Sequence, residues 1–345
     1  GLVPTIDPVL ARMLFWYFGH PLVYFWLLPA YVIWYTLLPQ VAGGRLFSDP
    51  LARLVFVLFI LLSTPVGFHH QFMDPGVSAG WKLVHTFLTF AILFPSFITA
   101  FTVTASMEVA GRARGATGWL DWLGKLPWRD PLFSSIALSM ILFAVGGIRG
   151  AINASFGMNA VVHNTAFIQG HFHLTVGSAV ALTFMGAAYF LLPRLWGREL
   201  ELSLLARVQP YLWFIGMMLF SFSNHITGLM GMPRRIYDAS YGGSPIAAAW
   251  QGLTGVSAVG GLFLFTSAGF FMLVMIGTAW AGRRRDFEPI TWAQPLHPAP
   301  SKRSVFDRYA LWTAIAILLV LVAYAYPLWA HLRMTRFGAP GFSPF

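Results

Sequence analysis

Gly170-His171-Phe172-His173 lies inside an apolar run from about Ala166 to Leu192, long enough to cross a bilayer as a helix. Ionisable side chains at that depth are costly and mark function by default. Residues i and i+2 of an α-helix point about 200° apart. His171 and His173 therefore face opposite flanks of one helix and cannot easily share an ion, but each can bind a separate large group. A lone histidine here would be read as hydrogen-bonded to a neighbouring helix. H-x-H in a span, accompanied by the histidines below, is not.

Working outward, the whole chain has the same character. Its 345 residues are 57% hydrophobic and 17% aromatic, with only 10% charged, against about 25% in soluble domains. This composition predicts an all-α, polytopic transmembrane bundle forming one integral membrane domain over residues 1–345. Eight segments reach spanning length, at approximately 13–38, 51–70, 82–108, 131–148, 166–192, 208–232, 246–281 and 305–330. Cysteine is absent, which excludes disulfides, thiolate metal sites and iron–sulfur clusters and leaves histidine as the metal ligand to look for. The opening Gly1-Leu2-Val3-Pro4 has neither an initiating Met nor a basic region. No cleavable signal is expected, and the chain reads as the interior of a longer one.

The net charge of +10 is topological and does not imply nucleic acid. Arg45, Arg53, Arg112, Arg114, Lys125, Arg129, Arg194, Arg198, Arg207, Arg283 to Arg285, Lys302, Arg303 and Arg308 fall after the first, third, fifth and seventh segments. Arg12, Lys82, Arg149, Arg234, Arg235, Arg333 and Arg336 fall on the other side. By the positive-inside rule the first set is cytoplasmic and both ends face out.

Three further groups carry chemistry. In Gly19-His20-Pro21-Leu22-Val23-Tyr24, His20 and Tyr24 share a helix face at i and i+4. Tyr31 and Tyr35 continue that face towards the cytoplasm as a hydroxyl stripe, and a stripe ending at a histidine suits a proton relay. Thr64-Pro65-Val66-Gly67-Phe68-His69-His70-Gln71 ends the second segment. Beside Pro and Gly, both imidazoles can bend to one ion, and with His20 they offer three neutral nitrogens, a set suited to copper, zinc or iron. Ser96, Thr99 and Thr102 lie at i, i+3 and i+6 of the third segment. They either pack between helices or complete the relay. On the outer side, Arg12, Asp74, Arg149, Asn153, Asn159, His163, Asn164, Arg234 and Arg235 cluster near segment ends. The pair in Met232-Pro233-Arg234-Arg235 can hold acidic groups bidentately, lipid headgroups or porphyrin propionates.

Together, GHPLVY (19–24), HH (69–70), HNTAFIQGHFH (163–173) and MPRR (232–235) resemble the catalytic subunit I of haem–copper oxygen reductases, in order and spacing across the chain. Tyr31/Tyr35 with Ser96/Thr99, and an extra last helix, resemble its B family, the ba-type cytochrome c oxidases. The resemblance implies two haems, one high-spin and one low-spin, and one copper ion. It implies copper ligation by His20, His69 and His70, with Tyr24 catalytic and linked to His20. His171 would be axial to the high-spin haem and His173 to the low-spin haem. Tyr31, Tyr35, Ser96 and Thr99 would form the proton path. Arg234, Arg235, His163, Asn159, Arg12 and Asp74 would surround propionates or waters.

The implied reaction is reduction of O2 to water with electrons from cytochrome c, coupled to proton uptake and translocation across the inner membrane of a prokaryote. A copper-containing second subunit, membrane lipid and preceding helices of the same subunit are the implied partners, with no nucleic acid. The sequence departs from the family at Asn159, where a carboxylate is usual. It also lacks the preceding helices that carry the second histidine of the low-spin haem. Of His85, His225, His297 and His331, only His225 is an internal candidate for that role, and the expectation is that none fills it. Segment 1–345 alone should then fail to form a six-coordinate low-spin haem. Two readings compete: a nitric oxide reductase on this scaffold, which lacks the tyrosine after GHP and is disfavoured by Tyr24, and a cofactor-free transporter with a histidine relay, which a featureless visible spectrum would reveal.

Overall fold

The computed structural model describes residues 7–333; Gly1–Pro4 and Arg336, read above, lie outside the described residues. Among these, eight helical stretches are long and apolar enough to span a membrane, as expected.

Helix α1 (Pro8–Ala42) starts at Asp7, whose carboxylate accepts from Val9 and Leu10 N–H, with Pro8 at its first position. It ends at Gly43 in the left-handed region, φ 68°, where a Cβ would be penalised. At 1.5 Å per residue it is about 52 Å long, more than a bilayer's apolar core. Helix α2 (Asp49–Ser63), capped by Ser48, gives way to a 3₁₀ turn at Phe68–Gln71. The third segment is two helices, α3 (Ala79–Ala91) and α4 (Leu93–Ala113). The break falls just before Pro95, which cannot donate into the preceding turn. A short α5 (Asp121–Gly124) leads to α6 (Pro131–Ala154), begun by Asp130 bonding Leu132 and Phe133 N–H. Then follow α7 (Phe156–Val162), α8 (Ala166–Leu174), a π-helical turn at Thr175–Val180, and α9 (Ala181–Trp196). The last elements are α10 (Ser203–Leu229), α11 (Pro245–Ala248), α12 (Gln251–Ala281) and α13 (Tyr309–Arg333).

Several expected boundaries shift. Arg53, Arg112, Arg194 and Arg207 lie within α2, α4, α9 and α10 and not in loops, because a long side chain at a helix end reaches the interface without leaving the helix. The sixth span runs 203–229, so His225 sits near its end and not at its middle. The stretch after α12 folds back along the chain: His297 N–H donates to Phe47 O and Asp49 N–H to His297 O.

The interior cluster centres on the second half of α1, where Tyr31, Trp34 and Leu38 meet Val55 and Phe59 of α2, Val103 of α4 and Ile136 of α6. Phe87, Phe97 and Phe265 project outward. In lipid such residues cost nothing, and helix association relies on close packing and polar contacts between helices. One such contact runs from Trp34 Nε1 to Thr183 Oγ1 at 2.8 Å, with Ser139 Oγ a further 2.9 Å away.

Candidate metal centre

His20 comes from the middle of α1, and His69 and His70 from the 3₁₀ turn after α2. The tight turn brings the two adjacent imidazoles, which a regular helix would separate by about 100°, to ring centroids 4.1 Å apart. His20 Nδ1 lies 3.3 Å from His70 Nε2. One ring nitrogen from each of the three falls within 4.8 Å of the others. No carboxylate joins the group, so the donors are neutral nitrogens throughout, as the spacing suggested.

The turn is held from several sides. Trp16, one helical turn before His20, stacks flat on His70, with centroids 3.8 Å apart and planes 8° apart. Arg12 bonds Asp74 through Nε at 2.5 Å and reaches His70 O at 3.4 Å. Gln71 donates to Asp74 Oδ2 at 3.1 Å. Gly67 is required by close approach: a Cβ there would sit 2.0 Å from Tyr324 Oη of α13 and 2.8 Å from Trp16 O. From α3, His85 Nδ1 accepts from Gly67 and Phe68 N–H, and Thr89 Oγ1 lies 3.1 Å from His69 Nδ1.

Tyr24 packs edge-on to His20 at 4.7 Å. His20 Nε2 is buried without a hydrogen-bond partner. Further along α1, Tyr31 is fully buried and Tyr35 nearly so. Tyr35 O–H donates to Thr99 Oγ1 at 2.7 Å, and Thr99 to Pro95 O at 3.0 Å. Ser96 and Thr99 lie beside the Tyr31 hydroxyl, which makes no bond of hydrogen-bonding geometry. Thr102 is buried on the same helix.

On α8, His171 turns to α6 and His173 to α10, the opposed flanks expected. His171 Nδ1 donates to Gly146 O at 2.9 Å, and His173 Nδ1 to Gln169 O at 2.8 Å, so Nε2 is the free nitrogen on each. His171 lies close enough to His20, His69 and His70 to interact electrostatically with all three. The π-helical turn directly after His173 is the kind of local bulge that recurs at functional sites. His225 Nδ1 bonds Ser221 O at 2.6 Å, and a Cβ on Gly170 would lie 2.4 Å from that nitrogen. His225 is thus packed against the residue preceding His171.

The outer cluster assembles around α7 and the loop after α10. Arg234 N–H donates to Asn164 O. Among the described residues, neither Arg234 nor Arg235 pairs with a carboxylate, and Arg234 is half-buried. Burial, with Arg235 and Arg12 nearby, lowers the Arg234 guanidinium from its ordinary value. Burial also lowers the His163 imidazole, helped by Arg12 and Arg234 and opposed by Asp74. Asn159 Nδ2 donates to Asn153 O at 2.7 Å, while Asn159 Oδ1 is buried without a partner.

Sequence reasoning missed Trp16, Thr89 and Gly146 and considered His85 only to set it aside as a haem ligand. Trp16 was findable at i−4 from His20. The others act across helices, where sequence spacing carries no signal.

Haem and copper fit these residues: three convergent imidazoles without a carboxylate, two opposed histidines each with Nε2 free, and on the outer side a half-buried Arg234 and an exposed Arg235 that pair with no carboxylate among the described residues. Comparison with known proteins agrees. Residues 1–263 match the family model for cytochrome c and quinol oxidase polypeptide I. Cytochrome c oxidase subunit 1 of Thermus thermophilus is 46% identical over 336 residues, covering 94% of this chain and 58% of that protein. The Bacillus subtilis subunit 1 is 28% identical over 296 residues, covering 84% and 42%. A solved heme–copper terminal oxidase dimer superposes with TM-score 0.92 at 41% identity, covering all of this chain and 62% of that one. The chain therefore spans between 42% and 62% of the length of these relatives. With its histidine trio, its opposed pair on α8 and these matches, the chain belongs to the cytochrome c and quinol oxidase polypeptide I family, a haem–copper subunit I.

Proposed function

We propose that this chain forms the oxygen-reducing part of a terminal oxidase of the B family, the ba type, reducing O2 to water with electrons from cytochrome c and taking up protons from the cytoplasm. The observation that carries the proposal is the convergence of His20, His69 and His70, one ring nitrogen of each within 4.8 Å of the others.

His20, His69 and His70 would hold copper, with His20 Nδ1 and His70 Nε2 the nitrogens that face each other. His171 would hold the high-spin haem and His173 the low-spin haem, each with Nε2 as the nitrogen left free. When bound, the haems and copper supply the electron transfer and the metal sites at which the O–O bond is cleaved. Everything else is done by protein groups. The Nδ1–H bonds to Gly146 and Gln169 carbonyls fix the tautomer and orientation of the two axial rings. Tyr24 delivers its phenolic proton at the reacting centre, and the partnerless His20 Nε2 beside it suits the family's histidine–tyrosine link. Tyr35, Thr99, Ser96 and Tyr31 pass protons along α1 and α4 towards Tyr24, with bridging water at the Tyr31 gap. Arg234 and Arg235 neutralise the propionates, with His163, Asn159, Arg12 and Asp74 around them.

In this reading the chain lies in a prokaryotic inner membrane with both ends outside, a topology that the positive-inside rule supports. A copper-containing second subunit and helices supplying the second low-spin ligand are the partners this reading requires. Haem and copper analysis of the purified oxidase, with O2 consumption on reduced cytochrome c, tests it. Two haems, one copper beyond that of the second subunit, split reduced α bands and turnover are expected. A featureless visible spectrum or absence of copper refutes it.

A further inference from the structure

Helix α3 carries two polar groups one turn apart, at i and i+4, on the face against the 3₁₀ turn. We propose that His85 and Thr89 are positioning residues for the His69 ligand: His85 caps the turn, and Thr89 selects the tautomer that leaves His69 Nε2 free for copper. The inference rests on the copper assignment above.

The hydrogen-bond directions follow from the geometry. Thr89 Oγ1 is 2.5 Å from His85 O and 3.1 Å from His69 Nδ1. A carbonyl only accepts, so the single hydroxyl proton goes to His85 O. The hydroxyl oxygen then presents lone pairs to His69 Nδ1, which must carry the ring's proton. His69 Nε2 is left as a bare lone pair, the form a metal ligand needs.

His85 works at the start of the same turn. The 3₁₀ turn receives no side-chain bond from its own cap, Gly67. Its leading N–H groups, on Gly67 and Phe68, instead donate to His85 Nδ1, both at 3.2 Å. Such donors need an acceptor wherever a helical turn begins inside the protein, and here it comes from another helix. His85 is fully buried and stacks on Phe68 with centroids 4.4 Å apart. Its ring thus fixes the backbone directly before His69.

The test uses the assembled oxidase and reads copper retained, beyond the second subunit's own copper, against a graded copper chelator, with haem absorption as the assembly control. Thr89→Val keeps the shape and removes the hydroxyl; it is expected to weaken apparent copper affinity about 10- to 100-fold, with Thr89→Ser restoring it to within about twofold. Thr89→Ala asks the same question should the valine variant not assemble. His85→Phe keeps the stack on Phe68, strips the acceptor and is expected to lose copper with haem bands unchanged. His69→Ala separates the two readings. Loss of copper in His69→Ala, with wild-type affinity in Thr89→Val, overturns this inference alone. Copper retained by His69→Ala overturns the copper assignment, and this inference with it.

Discussion

Replacing Gly67 by Ala should loosen the copper site without touching a ligand. The added Cβ would lie 2.0 Å from Tyr324 Oη and 2.8 Å from Trp16 O. Tyr324 is 2% exposed, and its hydroxyl cannot retreat without moving the ring or α13. The second obstacle is backbone of α1, in the turn preceding His20. The 3₁₀ turn is the element free to give, and it carries His69 and His70. Overpacking of this kind costs about 1–3 kcal/mol. If that strain is relieved by displacing the turn, copper affinity falls about 5- to 150-fold, at about 1.4 kcal/mol per factor of ten. Adding Tyr324→Phe removes the worse clash and leaves the one with Trp16 O, so the double variant should recover part of the loss. Coupling between touching residues of about 0.5–3 kcal/mol is measurable by a double-mutant cycle. The assay is chelator competition on the purified oxidase, with haem absorption as control. Wild-type copper affinity in Gly67→Ala, or no recovery with Tyr324→Phe, would refute the steric reasoning.

Tyr24→Phe should leave both haem spectra intact and lower O2 turnover by at least about 100-fold, the usual scale for losing a positioned proton donor; near-normal oxygen consumption would remove Tyr24 from its role. His171→Ala and His173→Ala should each delete a different spectral component, since the two rings face α6 and α10; loss of the same component in both contradicts the flanking arrangement. Asn159→Asp places a carboxylate one turn from His163, whose imidazole burial, Arg12 and Arg234 hold below its ordinary value. The new charge favours the imidazolium and raises that pKa, so the limb of the pH–activity profile due to His163 should move to higher pH with metal content unchanged. Superimposable profiles would show that the position plays no such part.

How much of this was legible beforehand differs by element. Eight spans were readable because a helix in lipid must satisfy its backbone internally and be apolar along its length, and both requirements are written locally. The opposition of His171 and His173, and the shared face of His20, Tyr24, Tyr31 and Tyr35, follow from the angular step of one helix, so two positions in sequence suffice to state them. The break between α3 and α4 was not read, although Pro95 marked it, because membrane helices tolerate proline when neighbours satisfy the freed carbonyl. That His69 and His70 could bend with His20 towards one ion was readable, but what holds the turn in that shape was not.

That His20 Nδ1 meets His70 Nε2, that Trp16 lies flat on His70, and that α3 supplies His85 and Thr89 to the turn were decided by the packing of α1, the 3₁₀ turn and α3. Sequence by itself determined the spans, the helix faces and the residue types able to bind metal, since these depend on rotation about one axis and on composition. Tertiary structure alone decided which nitrogen of His69 and His171 is free, because that proton is set by hydrogen-bond partners on other helices.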